Sequence, residues 1–179
     1  WSTVEKTALS DAEVEYMDHT SDTIYTSFLI KKTNLKELKD CEIIIWTTTP
    51  WTIPANKALA YNKNLSYLIL HLQDENEFKN RKIVIAKDLL ESVIKDCKIE
   101  NFKILKEISG KEFSGTICKH PFFNIGYEYD IPMLEARFVT LEQGTGFVHC
   151  APSHGPDDFN LCLNNGIKAL ETVDDDGRY

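Results

Sequence analysis

Apolar and polar residues alternate along most of the chain, which is the pattern of half-buried β-strands. These segments are rich in β-branched and aromatic residues, and turn-forming residues separate them. The pattern predicts up to nine short strands. Eight of them cover residues 23–30, 42–48, 56–61, 66–72, 82–86, 102–108, 133–141 and 146–150, and further short strands are expected within 113–129.

Two segments have the helical period instead. Residues 88–97 place apolar side chains on one helical face, and Asp88 is positioned to cap the first turn. The second helix is predicted to begin at Pro156, to carry two aspartates in its first turn and to end before Gly166. Many short strands and two helices predict an α+β fold with a mostly antiparallel, β-barrel-like core and a few peripheral helices.

The first 22 residues are polar and acidic, with little that could enter a core. We expect residues 1–22 to form a connector or N-terminal arm and residues 23–179 to form a single domain. The chain begins at Trp1 rather than methionine and stops inside a charged turn. This indicates a domain taken from a larger protein.

Composition narrows the function classes. The 20 basic and 28 acidic residues give a net charge of −8, which argues against a broad nucleic-acid-binding face but leaves open a local contact with a strand end. No apolar run is long enough to span a membrane, so we expect a cytoplasmic protein with no membrane partner. The five cysteines include no C-x-x-C pair, so we interpret them as reduced, mostly buried thiols.

One stretch of the chain, Trp46–Pro54, combines four threonines and two tryptophans with two prolines. The β-branched threonines and the prolines disfavour a helix, so the pattern predicts a strand that breaks into a rigid, hydroxyl-lined loop. The alternative is an ordinary edge strand that ends at a proline turn.

A second stretch, residues 144–158, places two glycines, His149 and a carboxylate close together in sequence. The glycines permit close backbone approach, and a histidine at a strand end followed by a carboxylate at a helix start is a common way to assemble a site. The alternative is that His149 is a satisfied core histidine and that Asp157 and Asp158 only complement the helix dipole.

Several kinds of site do not fit these residues. Neither a dinucleotide fingerprint nor a phosphate loop is present, and no H-E-x-x-H pattern or complete calcium loop supports a metal, so we expect no cofactor. No G-x-S-x-G motif occurs, and Cys150 would point away from the face that carries His149. Hydroxyls, N–H groups, an imidazole and a carboxylate are suited to positioning a water molecule and holding an ammonium group.

Taken together, Trp46–Asn56 and Gly144–Phe159 closely resemble the editing domain of isoleucyl-tRNA synthetases, which belong to the class I aminoacyl-tRNA synthetases. The related valyl and leucyl editing domains usually carry an arginine where Thr49 stands and lack the second tryptophan, Trp51. These departures favour the isoleucyl member, and a valyl or leucyl editing domain is the alternative.

The resemblance implies hydrolysis of valine wrongly esterified to the isoleucine tRNA, with valyl-adenylate as a second candidate substrate. It implies three partners: the 3′ end of the mischarged tRNA, the valine moiety and the rest of the parent synthetase. A monomer without cofactor or metal is expected. The other hypothesis is a non-catalytic module that binds the tRNA 3′ end.

The resemblance also implies residue roles. Asp158 would bind the substrate ammonium group, and His149 would bound the side-chain pocket that admits valine and excludes isoleucine. Asn56 would support the site near the terminal adenosine. Three catalytic threonines would surround the ester and the attacking water: Thr47, Thr48 and Thr49. Trp51 and Thr52 would shape the wall of the pocket.

Overall fold

A computed structural model describes all 179 residues. It contains nine strands and two α-helices, in the positions where the alternation and the helical period predict most of them. The strands are β1 Ile24–Lys32, β2 Cys41–Thr47, β3 Ala58–Tyr61, β4 Ser66–Leu72, β5 Lys82–Ala86, β6 Phe102–Ser109, β7 Ile117–Lys119, β8 Asp130–Glu135 and β9 Phe147–Cys150, and the helices are α1 Leu90–Asp96 and α2 Pro156–Asn164.

All nine strands belong to one sheet, in the order β6-β4-β5-β2-β1-β7-β8-β3-β9. Neighbouring strands are antiparallel except for the β2–β5 and β3–β8 pairs, which are parallel. The predicted α+β fold with a mostly antiparallel sheet is therefore confirmed. The sheet is open rather than closed into a complete barrel, with β6 and β9 at its two edges.

An aromatic group in the core connects β4, near one edge of the sheet, to β9 at the other edge. The ring of Phe113 lies 4.9 Å from that of Tyr67 and 5.2 Å from that of Phe147. The buried Tyr67 hydroxyl donates a hydrogen bond to the carbonyl of Gly146 at 3.0 Å. This bond satisfies the phenol inside the core and fixes the chain where it enters β9.

The first helix begins differently from the prediction. Residues Lys87–Leu89 form a 3₁₀ turn, and α1 starts only at Leu90. Asp88 therefore lies inside the turn rather than before it, and neither helix start receives a side-chain cap. The prediction that Asp88 caps the helix is wrong.

The predicted strand over residues 133–141 is also wrong beyond residue 135. The strand β8 pairs with β3 until Glu135 faces Tyr61, the last residue of β3. The N–H of Ala136 then donates to the carbonyl of Tyr61 at 2.8 Å, and no partner strand continues. Residues 136–146 consequently form an irregular loop.

The threonine- and tryptophan-rich stretch begins as predicted, since β2 ends at Thr47. Its continuation, Pro50–Ala55, is a 3₁₀ helix rather than a loop. Proline is well tolerated at the first helical position, where no N–H donor is required, and Pro50 occupies that position. The edge-strand alternative is wrong, because β2 lies between β5 and β1 inside the sheet.

Residues 1–22 contribute no buried side chain, and their first residues contact the other end of the chain. The indole N–H of Trp1 donates to the carbonyl of Asp175 at 3.2 Å, and Lys6 forms an ion pair with Asp176 at 2.9 Å. The division of the chain at residue 22 stays a prediction.

Four of the five cysteines, all except Cys97, are buried, which confirms that the thiols are mostly buried. Neither α-helix has the length and hydropathy that crossing a membrane requires.

Gly146 is a test of how closely the backbones pack beside β9. It has a φ of +81°, and a β-carbon added to it would lie 2.3 Å from the β-carbon of Ala86. Gly126 also has a positive φ, of +104°, but has open space around it. We predict that Gly146→Ala lowers the free energy of unfolding by about 1–3 kcal/mol more than Gly126→Ala does, because only the first substitution overpacks the core. Urea denaturation of both variants measures this difference, and equal losses would contradict it.

Candidate functional site

The two stretches singled out in the sequence meet at one cavity of about 360 Å³. It is bounded by the end of β2, by β9, by the loop 136–146 and by the start of α2. Five of the predicted site residues line it: Thr47, Thr48, Thr49, His149 and Asp158.

The fold brings these elements together although β2 and β9 are not hydrogen-bonded neighbours. The strand β5 runs parallel to β2, so its last residue, Ala86, lies at the same end of the sheet as Thr47. The N–H of Ala86 donates to the carbonyl of Thr145 at 2.8 Å. Gly146 lets the chain approach this closely, since a β-carbon there would lie 2.3 Å from that of Ala86, whereas one on Gly144 would make only an ordinary contact with Trp46.

Threonine hydroxyls form a connected line along one wall. The Oγ1 of Thr47 accepts a hydrogen bond from the N–H of Thr49 at 3.1 Å and lies 3.3 Å from the Thr49 hydroxyl. The Thr49 hydroxyl lies 3.4 Å from that of Thr52, which donates to the Thr49 carbonyl at 2.8 Å. Thr48 is exposed and also lines the cavity. Thr47, Thr48 and Thr49 therefore all line the cavity, whereas the proton of Thr52 is committed to the backbone.

His149 is held on both ring nitrogens. Its Nε2 lies 3.1 Å from the hydroxyl oxygen of Thr52, and its Nδ1 lies 3.5 Å from the side-chain nitrogen of Asn56. Because the Thr52 hydroxyl donates elsewhere, Nε2 must carry the proton, and Nδ1 accepts from Asn56. The ring is thus fixed in one neutral tautomer.

Burial reinforces this neutrality. His149 is only 8% exposed, and desolvation, with smaller contributions from His154 and His120, lowers its pKa to about 4. A charged imidazole would be poorly solvated there, so the ring is neutral at physiological pH. His149 is therefore a buried histidine with both ring nitrogens bonded, as the alternative interpretation expected, and its ring also lines the cavity.

Asn56 supports His149 from a fully buried position. Its side-chain nitrogen also donates to the carbonyl of Ala58 at 2.9 Å, which determines the orientation of the amide, since the reverse orientation would place two oxygens together. The amide oxygen has no hydrogen-bond partner within the chain. A buried acceptor of this kind costs about 1–3 kcal/mol unless a water or ligand satisfies it.

Asp158 lies in the first turn of α2 and is half-buried. One carboxylate oxygen accepts a hydrogen bond from the N–H of Ala151 at 2.9 Å. Burial raises the pKa of this carboxyl group, the Ala151 N–H opposes that rise, and the negative charge of Asp157 adds to it. A partly desolvated carboxylate that faces a cavity gains from a cationic partner, which makes Asp158 the natural anchor for an ammonium group.

Three predicted site residues do not line the cavity. Thr52 and Asn56 are buried behind His149 and reach the cavity only through its ring. Trp51 is 51% exposed on the 3₁₀ helix, away from the cavity wall. Its assignment to substrate binding stays a prediction.

The cavity also has lining residues to which the sequence assigns no role. Trp46 precedes the threonines, Phe147 and Val148 lie on β9, and the others come from the loop 136–146, which was predicted as strand up to residue 141. The local sequence signal for this loop is Gly144, a turn-forming residue. The loop residues are Phe138, Val139, Thr140 and Gln143.

A larger and more open groove of about 880 Å³ lies between residues 152–160 and residues 169–173. It contains none of the predicted site residues, and one of its polar side chains, His154, is already bonded to Thr172 at 2.8 Å. The smaller cavity is therefore the better candidate site. No group of three or more histidine, cysteine or acidic side chains is arranged to hold a metal ion.

Sequence relatives cover the whole chain. Isoleucine–tRNA ligase of Pelagibacter ubique is 73% identical over 179 residues, which are 100% of this chain and 20% of that protein. Isoleucine–tRNA ligase of Gluconobacter oxydans is 47% identical over 185 residues, with 100% and 19% covered. The chain thus spans about a fifth of the length of these relatives. No family model matches the chain.

Solved structures with the same fold are leucyl-tRNA synthetase editing domains. The cytosolic enzyme's editing domain from P. knowlesi superposes with a TM-score of 0.61 at 16% identity, covering 80% of this chain and 60% of that one. The corresponding P. falciparum domain gives 0.55 at 21% identity, covering 72% and 47%. Over its whole length the chain thus matches a segment of isoleucyl-tRNA synthetases, and it has the fold of class I synthetase editing domains.

Proposed function

We propose that this chain hydrolyses the ester bond between valine and the 3′-terminal adenosine of the isoleucine tRNA. The observation that carries the proposal is the composition of one cavity: threonine hydroxyls on one wall, a neutral imidazole on another and a half-buried carboxylate at a helix start. An aminoacyl ester presents an ammonium group, a carbonyl and an apolar side chain, and each finds a suitable partner among these groups.

Asp158 binds the ammonium group in this proposal. Pairing with a cation relieves the desolvation that raises the pKa of its carboxyl group. Neutralised in this way, Asp158 is a poor general base. Its role is to fix the ester relative to the threonines.

The threonines act by position and hydrogen bonding. Hydroxyls of Thr47, Thr48 and Thr49 hold the attacking water and stabilise the charge that develops on the ester oxygen. A covalent enzyme intermediate is not required. Cys150 is buried, and burial raises the pKa of its thiol well above the ordinary value, so the thiolate nucleophile is suppressed.

His149 excludes the larger amino acid by steric fit. One methylene changes binding by only about 1–3 kcal/mol, a limit for which isoleucyl-tRNA synthetase is the usual example, and a second, smaller pocket solves the problem by rejecting isoleucine. A ring held at both nitrogens is a rigid wall for such a pocket.

The parent activities are proposals of the same kind. We propose that the domain acts as part of a monomeric, cytoplasmic synthetase that charges tRNA with isoleucine, and that valyl-adenylate is a second substrate. The identity of 73% to an isoleucine–tRNA ligase favours the isoleucyl over the valyl or leucyl assignment. A module that only binds the tRNA end is the competing function.

Replacing Asp158 tests hydrolysis against binding alone. We predict that Asp158→Ala lowers the rate of deacylation of valyl-tRNA by about a hundredfold, because a buried charged hydrogen bond to the substrate is lost. Asp157→Ala is the matched control, since Asp157 is exposed one position away and does not line the cavity. A wild-type chain no faster than the Asp158→Ala variant would support the binding module instead.

Truncating His149 tests the steric role. We predict that His149→Ala allows hydrolysis of isoleucyl-tRNA, raising its rate about 10- to 200-fold, which is the discrimination that one methylene provides. His154→Ala, with its exposed imidazole, should leave isoleucyl-tRNA intact. If the His149 variant also spares isoleucyl-tRNA, the ring is not the wall that excludes isoleucine.

A pH series tests whether His149 is buried and neutral. Between the ordinary imidazole pKa of 6.5 and the folded value of about 4, the unfolded chain binds a proton that the folded chain does not. The contribution of His149 to stability is therefore complete above pH 6.5 and declines as pH falls, by about 2 kcal/mol at pH 5. We predict that His149→Gln flattens the decline in unfolding free energy between pH 7 and pH 5, whereas His154→Gln flattens it less. Identical slopes for wild type and His149→Gln would show that the ring is not neutral.

A further inference from the structure

The wall behind His149 is supported by an aromatic segment far along the chain. The ring of His120 donates from Nε2 to the carbonyl of Ile53 at 2.9 Å, and the hydroxyl of Tyr129 donates to the carbonyl of Asn56 at 3.0 Å. Ile53 lies in the 3₁₀ helix that carries Thr52, and Asn56 directly follows the last residue of that helix. Two side chains from residues 120–129 thus hold the backbone that presents Thr52 and Asn56 to His149.

The two carbonyls differ in what else they bind. The Ile53 carbonyl already accepts the N–H of Asn56 at 3.0 Å, so the His120 bond is its second. The Asn56 carbonyl lies beyond the end of the six-residue helix, where no further turn supplies an N–H donor. The Tyr129 hydroxyl therefore satisfies this carbonyl from outside the helix.

Both donors are themselves fixed. The Nδ1 of His120 accepts the N–H of Phe122 at 3.1 Å, so its Nε2 carries the proton. The ring of Tyr127 stacks on that of His120 with centroids 4.6 Å apart. The ammonium of Lys57, next to Asn56 in the chain, lies 3.9 Å from the centroid of the Tyr129 ring.

We propose that Tyr129 is a positioning residue of the hydrolytic site. Its hydroxyl fixes the backbone of Asn56, and the Asn56 amide in turn fixes the tautomer and orientation of His149. The inference rests on the proposed function, because it assigns Tyr129 a role in the discrimination that His149 performs. Tyr129 does not line the cavity.

Only a short chain of contacts links Tyr129 to His149. Tyr129 is separated from His149 by one residue, Asn56, and that contact is the longest in the network at 3.5 Å. A small displacement of the Asn56 backbone would break it while Nε2 stays bonded to Thr52. The ring would then be held at one nitrogen only, and the wall would become less rigid.

The chain offers a matched pair of substitutions. Tyr129→Phe removes the hydroxyl that bonds Asn56 and keeps the ring under Lys57. Tyr127→Phe removes a hydroxyl from the neighbouring tyrosine, which packs in the same aromatic group through its ring but is not part of the network to Asn56. Each variant is compared with wild type by thermal unfolding, by kcat and KM for valyl-tRNA and isoleucyl-tRNA, and by the ¹⁵N chemical shifts of the His149 ring.

We expect Tyr129→Phe to lower the ratio of valyl- to isoleucyl-tRNA hydrolysis about fivefold, which is the effect of one neutral hydrogen bond, with the change in kcat rather than KM. The ¹⁵N shifts of His149 should move toward the average of two tautomers. Tyr127→Phe should change neither. A purely structural role of Tyr129 would lower the melting temperature but leave selectivity and ring shifts unchanged, and that result overturns the proposal.

The two proposals fail in different ways. If wild type hydrolyses valyl-tRNA no faster than Asp158→Ala, the proposed function is wrong. The ¹⁵N shifts then still decide whether Tyr129 orients His149, because they require no substrate. If wild type is active and Tyr129→Phe matches Tyr127→Phe in selectivity and shifts, only the role of Tyr129 is wrong.

Discussion

The hydrogen bond between the Nε2 of His149 and the hydroxyl of Thr52 joins two parts of the chain that the sheet does not pair. One is the edge strand β9, and the other is the 3₁₀ helix after β2. Because the Thr52 proton goes to the Thr49 carbonyl, the bond also dictates which nitrogen of the imidazole is protonated. One contact therefore joins His149 in the cavity wall to the 3₁₀ helix behind it and determines which ring nitrogen is protonated.

That chemical state matters for the charge balance of the cavity. Asp158 is the only ionisable side chain besides His149 that lines it, and Asp158 has a backbone N–H but no cation as its partner. A protonated His149 would bring a positive charge into the same cavity and compete with a substrate ammonium for the carboxylate. Keeping the imidazole neutral leaves the anion available. The steric selection proposed for His149 and the ammonium binding proposed for Asp158 thus depend on the same burial.

The local pattern of apolar and polar residues predicted most of the strands and helices around the cavity. It failed where the structure of a segment depends on a partner that is distant in sequence. Alternation located β2 and β9, and Pro156 located α2, so Thr47, His149 and Asp158 could be placed at element ends. Residues 136–141 alternate like a strand, but β3 stops at Tyr61 and leaves them unpaired. Nothing local reveals where a partner strand ends. For the same reason no local pattern indicates that donors from residues 120–129 support the 3₁₀ helix.

Two unfavourable features lie in and beside this cavity. The amide oxygen of Asn56 is buried without a partner, and Asp158 is partly desolvated. No other buried side-chain nitrogen or oxygen lacks a hydrogen-bond partner. Selection for stability alone would remove such features, because apolar packing of the same space would be more favourable. Their location beside one cavity is what the proposed binding of a polar, charged ester requires.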